Sequence, residues 1–454
     1  MDTKNDFGKG SVAKNILSLA VPMTLAQLVN VLYSVVDRIY IGHLPEASAQ
    51  ALTGIGLTLP IITIITAFAN LFGMGGAPLC SIARGGGNME RGEKIMGNSF
   101  SMLLLSGTIL MALCLMLKRP MLYLFGASED TFPYADAYLS IYLWGTLFVM
   151  ISLGMNNFIN AQGFGKMGMF TVLIGASLNL VLDPVFIFLL GLGIQGAAVA
   201  TVVSQLASAC FVLWFLTGKQ AVFTLKKQFL NPDLKLVKEI TALGMSGFVM
   251  SVTNGAVQII CNATLQKYGG DLYVGIMTVI NSVREILNMP IHGLTNGAQP
   301  VIGFNYGAKK YDRVKSSVVF TTVAGITVAS VAWFFLFFFP EFFLGLFTSE
   351  QELISDGILS MKIYFFGMFM MAFQFAGQCT FVALGKSKQA IFFSLFRKAM
   401  IVIPLTILLP AVGGLGVNGV FLAEPISNFL GGAACFITML FTVWPVLSDK
   451  KIMG

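Results

Sequence analysis

The 454-residue chain is 56% hydrophobic and only 11% charged, against about a quarter charged in an average soluble domain, which excludes an ordinary water-soluble globule. Its 28 Lys and Arg against 21 Asp and Glu leave a formal charge of +7, but the excess gathers in every second loop, which excludes a nucleic-acid surface and fits the inner side of a membrane protein. Hydrophobic runs near the bilayer length of about 20 residues recur throughout, and short alternating strands do not, so the fold class is an all-α membrane protein rather than a barrel.

In chain order, apolar runs between Gly, Pro and charge punctuation predict helices near residues 16–41, 51–80, 95–117, 134–160, 167–190 and 193–217. The segment "NPDLKLVKE" from Asn231 reads as a polar, basic linker, and six more helices follow near 237–263, 272–303, 314–340, 357–384, 391–410 and 416–446. The second set copies the first. A constant shift of 222 aligns Gly75 with Gly297, Pro78 with Pro300, Gly85 with Gly307, Arg91 with Arg313, Tyr142 with Tyr364, Gly145 with Gly367 and Gly163 with Gly385. A shift of 223 pairs "GLGIQGAAVA" at Gly191 with "GLGVNGVFLA" at Gly414. Six spans return the chain to the side where it began, so twelve transmembrane helices in two parallel six-helix repeats are expected, with an N-terminal lobe over 1–225 and a C-terminal lobe over 226–454.

Lys4, Lys9 and Lys14 precede the first span, and Arg84, Arg91, Lys94, Lys166, Lys226, Lys227, Lys235, Lys309, Lys310, Arg313, Lys386 and Lys388 fill the alternate loops. The opposite loops hold Lys118, Arg119 and Lys267 with acids such as Glu129, Asp130, Glu350 and Glu352, so both termini are expected to be cytoplasmic. The first span has a counterpart in the second repeat, which argues against a cleaved signal peptide. Cysteines 80, 114, 210, 261, 379 and 435 lie scattered in apolar runs and read as small core residues. His43 and His292 form no metal-ligand cluster, and no nucleophile or metal motif of an intramembrane enzyme is visible.

Asp37, Asp183, Arg284, Glu285, Arg397, Lys398 and Glu424 fall within predicted spans or at their edges, where a charge costs a few kcal/mol and is a functional candidate. Counted from the outer helix ends at 1.5 Å per residue, Asp37 lies roughly 8 Å deep, and Asp183 and Thr201 roughly 12 Å. Asn179 shares a helical face with Asp183, and Gln27, Asn30, Ser34 and Asp37 form one stripe on the first helix. Two carboxylates, an amide and a hydroxyl could therefore surround one cation, either a proton or Na+. Pro184 leaves the carbonyl of residue 180 without its helical partner and bends the chain beside the carboxylate, which could couple charge to shape. The second repeat carries Ile259 and Leu405 at the equivalent positions, so this site is one-sided. Glu424 is the counterpart of Thr201, and Arg397 and Lys398 could neutralise it in a structural ion pair; a substrate or coupling role stays open. Arg284 and Glu285 are adjacent and point apart on a helix.

"NLVLDPVFIF" beside "GIQGAAVAT", the duplicated "GLG" turns and a first span ending "VVDRIYIG" together resemble the multidrug and toxic compound extrusion (MATE) family over essentially the full length. The resemblance implies two six-helix lobes in a V-shaped pair and an antiporter that exports organic, mostly cationic amphiphilic compounds against a proton or sodium gradient. It implies no cofactor and no metal other than a coupling Na+. It also implies small organic cations and the bilayer as partners, without nucleic acid, for a monomer in a bacterial-type plasma (inner) membrane. Asp37, Asn179, Asp183 and Thr201 match the family's N-terminal-lobe cation site, and Asn157 matches a polar neighbour of it. Gln27, Asn30, Tyr33, Asn160, Met289 and His292 are the candidates for the substrate cavity. Some branches carry acids on helices seven and ten; here Glu239 stands only at the start of helix seven, and helix ten has Gln374 and Gln378 instead. The alternative is a lipid-linked oligosaccharide flippase of the same superfamily; such proteins need a strongly basic cavity, which Arg284, Arg397 and Lys398 keep open.

Overall fold

A computed structural model describes residues 6–42, 48–348 and 350–448, and every regular element among them is helical. Long apolar stretches with few polar side chains hold their backbone hydrogen bonds internally, which is what a lipid environment demands. The first three such stretches form α1 (Val12–Gly42), α2 (Ser48–Gly85) and α3 (Met89–Leu124). At the start of α3, the Asn88 side chain accepts from the Arg91 N–H at 3.0 Å and so satisfies one of the open donors of the first turn.

Several predicted spans are interrupted. The stretch over 134–160 divides into α4 (Phe132–Trp144) and α5 (Thr146–Ala161), bent by 58° at Gly145. Its repeat partner over 357–384 divides into α11 (Gln351–Tyr364) and α12 (Met368–Ala383), bent by 46°, with Gly367 at φ 70°. The bends therefore fall on glycines related by the 222-residue shift. The span over 167–190 is α6 (Gly165–Pro184) followed by a π-helical turn, Val185–Leu189, and α7 is Gly193–Thr217.

After a short 3-10 turn at Lys227–Phe229 comes α8 (Leu234–Gly307), 74 residues long. At 1.5 Å per residue this is about 110 Å, several times the hydrocarbon thickness. Gly270, at φ 69° and ψ −164°, breaks it into two spans. The rest comprises α9 (Tyr311–Phe338), α10 (Pro340–Gly345), α13 (Ser387–Leu395), a π-helical segment Phe396–Val402, α14 (Ile403–Leu408), a 3-10 turn Leu409–Ala411, α15 (Val417–Thr442) and α16 (Trp444–Ser448). Among the described residues nine helices are long and apolar enough to cross a membrane, and the two bent pairs bring the number to eleven. Dividing α8 at Gly270 gives twelve.

The chain forms two compact units, one of Leu25–Gly244 and one of Asp6–Thr24 with the residues from Met245 onward. Each unit thus includes the beginning of the other half's first helix. In the first unit, a side chain at Gly75 would collide with the Ile240 carbonyl and Gly244 on the opening turns of α8. In the second, a side chain at Gly297 would collide with Ala20 on α1. These glycines are repeat partners, and both let two helix backbones meet closely, as small residues do inside membranes. The pattern recurs at Gly196, packed on the Phe186 carbonyl, and Gly419, packed on Leu409 and Pro410. The segments before the two repeats are also anchored alike. The Phe7 carbonyl accepts from Asn305 and Arg313 at 3.1 and 2.8 Å, and the Phe229 carbonyl accepts from Asn98 at 3.4 Å. Phe7 and Phe229 are themselves 222 residues apart.

Candidate functional site

In the first unit, α6 and α7 bury three polar side chains that meet one another. Asp183, Asn179 and Thr201 are 1%, 2% and 6% exposed. Asn179 and Asp183 stand one helical turn apart, so both project from the same face of α6. In the amide orientation that satisfies both neighbours, Asn179 donates to Asp183 Oδ2 at 2.9 Å and accepts from the Thr201 backbone N–H at 3.3 Å. The Thr201 hydroxyl donates to the Ala197 carbonyl at 3.0 Å.

Asp37, on α1, meets Asp183 side chain to side chain within hydrogen-bonding reach. Two carboxylates in contact repel unless a proton or a cation stands between them. Oxygen donors from Asp37, Asp183, Asn179 and Thr201 are a set that either ion could use. Tyrosines surround the pair. Tyr33, one helical turn before Asp37, lies within electrostatic range of both acids and of Tyr142. Tyr138 lies close to Thr201, and its ring stacks on Tyr142 at 6.1 Å. The sequence does not single out Tyr138 and Tyr142 as site residues. Their four-residue spacing on α4 and the recurrence of Tyr142 as Tyr364 are the signals that point to them.

The remaining candidates are placed as follows. Asn157 donates to the Leu153 carbonyl of its own helix at 3.0 Å, beside Gly73. Asn160 is buried against Gly168 of α6. On α1, Gln27 is half-buried and Asn30 is exposed. Met289 is buried in the second unit, and the half-buried His292 packs edge-on to Phe375 at 4.8 Å. Gln374 and Gln378 brace α12 against α13 through the Phe393 and Ala390 carbonyls. Lys4 and His43 lie outside the described residues. Among the described residues no group of three or more His, Cys, Asp or Glu is arranged to hold a metal ion.

A second polar cluster lies in the second unit. Glu424 Oε1 accepts from Arg397 Nη1 at 3.0 Å, and Lys398 Nζ donates to Oε1 and Oε2 at 3.0 and 2.9 Å. Arg397 also donates to Asn428 Oδ1 at 2.7 Å. Arg397 and Lys398 both reach this carboxylate because they lie in the π-helical segment Phe396–Val402, whose wider turn departs from α-helical spacing. Nearby, Arg284 Nη1 donates to Tyr364 Oη at 2.7 Å.

The MatE family profile matches residues 22–185 and 248–408, one match in each repeat. Multidrug export protein MepA of Staphylococcus saprophyticus is 23% identical over 409 residues, 90% of each chain. MepA of Staphylococcus haemolyticus is 24% identical over 428 residues, 93% of each chain. A crystal structure of a MATE protein in a bent conformation superposes with a TM-score of 0.92 at 20% identity, covering 99% of this chain and 100% of that one, so the fold is shared.

Proposed function

Because the chain belongs to the MatE family, whose profile covers well over half of it, we propose that this secondary transporter is a multidrug efflux antiporter driven by a cation gradient. The observation that carries the reading is the meeting of Asp37 and Asp183 in the buried interior of the first unit, beside Asn179 and Thr201. Two carboxylates this close repel each other, and external H+ or Na+ entering between them relieves that repulsion. The ion removes the repulsion, and the helix beside it is already weakened by Pro184 and the π-helical turn at Val185–Leu189. Ion occupancy thus selects between helix geometries, and a ligand shifts a conformational equilibrium only through such differential affinity. Organic cations leave in exchange, through mutual exclusion or through that bend.

The names of the relatives favour an exporter over an oligosaccharide flippase. The positive-inside pattern supports cytoplasmic termini, the bacterial relatives support a bacterial-type plasma membrane, and we read the transporter as a monomer. Efflux of a fluorescent organic cation from vesicles, driven separately by a pH gradient and by a sodium gradient, identifies the coupling ion. In the same vesicles Asp183→Asn should abolish gradient-driven efflux while the protein still inserts; wild-type efflux by this variant would refute the role of the pair.

A further inference from the structure

Beneath the acid pair, three polar stripes run through the interior of the first unit. On α6, Thr171, Gly175, Asn179 and Asp183 follow one another at four-residue steps. The face of α7 that carries Thr201 continues through Ser204, Gln205 and Ser208, and α5 presents Ser152, Asn156 and Asn160. The three helices pack on one another, and the stripes are joined where they meet. Asn179 bridges Asp183 and the Thr201 backbone. Ser152 Oγ donates to Gln205 Oε1 at 2.7 Å, Ser208 Oγ to the Thr171 carbonyl at 2.9 Å and Asn156 Nδ2 to the Gly168 carbonyl at 3.2 Å. Gly175 permits the second of these contacts, because a Cβ there would stand 2.6 Å from Ser208 Oγ. At 1.5 Å per residue the file descends about 22 Å along α6 from Asp183 to Gly168, and it ends beside Lys166, on the basic side of the chain.

The polar atoms that these contacts leave over point to what threads the file. Ser204 and Asn160 are 2% and 7% exposed, and among the described residues Ser204 Oγ, Asn160 Oδ1 and Asn156 Oδ1 have no hydrogen-bond partner. The Thr201 and Thr171 hydroxyls return to carbonyls of their own helices at 3.0 and 3.3 Å, whereas that of Ser204 does not. Buried polar atoms without a protein partner are where ordered water binds. Ser204 stands one turn below Thr201, and Asn156 and Asn160 stand at the inner end, so single waters at these atoms join the fixed hydrogen bonds into one chain. A polar lining of this length is costly in a span interior and marks an ion path there.

We propose that this file is the inward exit of the coupling ion, and that the ion is a proton. The proposal rests on the cation-coupled reading above and adds to it the route and the identity of the ion. The O–H bond of protonated Asp183 breaks and its proton passes to water beside Thr201 and Ser204. Hydrogen-bond exchange past Ser152, Gln205 and Ser208 then delivers one proton at the inner end of α5 and α6, and the carboxylate of Asp183 is regenerated. Groups that touch across the file at 2.7 and 2.9 Å can pass a proton by exchange, but they would have to part for a hydrated Na+.

The test uses vesicles carrying the full-length protein, with efflux of a fluorescent organic cation driven by a pH gradient. Ser204→Val and Ser204→Thr add nearly the same volume, and only the second keeps the hydroxyl. Ser204→Val should lower the maximal rate about tenfold with an unchanged KM for the organic cation, and Ser204→Thr should restore the rate. Asn156→Leu, which removes the polar atoms at the inner end, should slow efflux likewise and supplies a second reading if neither Ser204 variant accumulates. Equal rates in the two Ser204 variants, or a wild-type rate in Asn156→Leu, would overturn the route. Efflux that follows a sodium gradient and ignores a pH gradient would overturn the proton while leaving the roles of Asp37 and Asp183 intact. Asp183→Asn keeps the two readings apart: efflux lost there but of wild-type rate in Ser204→Val leaves the coupling pair standing and sinks the exit path alone.

Discussion

Glu424 is 5% exposed between Arg397 and Lys398, which are 8% and 4% exposed, so its removal leaves two buried cations without a counter-charge. Breaking a buried ion pair from one side typically costs about 3–5 kcal/mol, whereas exchanging all its members for apolar side chains of similar volume is often neutral. Glu424→Leu should therefore destabilise the protein by about that amount, and adding Arg397→Met and Lys398→Met should recover most of the loss. Unfolding of the two variants in one detergent decides it; a triple variant less stable than the single one would show that the cluster contributes net stability. The individual acids and cations of both clusters were legible in the sequence because charge inside an apolar run is rare and expensive. Tyr138 and Tyr142 were not, since tyrosine is an ordinary core residue and only the packing of α4 beside α7 brings this face of α4 near Thr201. The contact of Arg284 with Tyr364 was likewise invisible, because it joins side chains 80 positions apart.

At the scale of elements, the sequence predicted where apolar segments run but not how they are interrupted. Hydrophobic length marks a span regardless of whether its hydrogen-bond ladder is α, π or broken. The two bends at Gly145 and Gly367 differ in cause, and the difference can be measured. Gly367 sits at φ 70°, where a side chain is strained by about 1–3 kcal/mol, and its Cβ would also meet the Phe429 ring. Gly145 is at φ −82°, an ordinary backbone for any residue, and its Cβ position is crowded by Val202 at 2.7 Å and by the Tyr142 carbonyl at 3.2 Å. Gly367→Ala should accordingly lower the unfolding temperature more than Gly145→Ala. The reverse order would mean that packing against α7, rather than backbone conformation, controls these bends.

At the scale of the molecule, the repeat was readable from spaced glycines and prolines, yet the exchange of helix beginnings was not, because a sequence shift carries no information about which half packs a given helix. Residues Asp6–Thr24 belong to the second unit although they open the first repeat, and α8 up to Gly244 belongs to the first although it opens the second. The exchanged pieces are firmly held within those units. Arg313 donates to the Phe7, Lys9 and Gly10 carbonyls at 2.8, 3.1 and 2.9 Å, while Arg91 pairs with Glu239 at 2.9 Å. A chain cut between residues 225 and 226 thus yields two fragments, each lacking a helix segment that completes its own unit. Expressed alone, each fragment leaves Gly75 or Gly297 without its close-packed partner and exposes small-residue helix faces that have no other cover. Fragments produced separately should aggregate or be degraded, whereas co-expressed fragments should comigrate on size exclusion and restore organic-cation efflux. A first fragment that stays monodisperse by itself would refute the idea that the exchanged segments complete each unit.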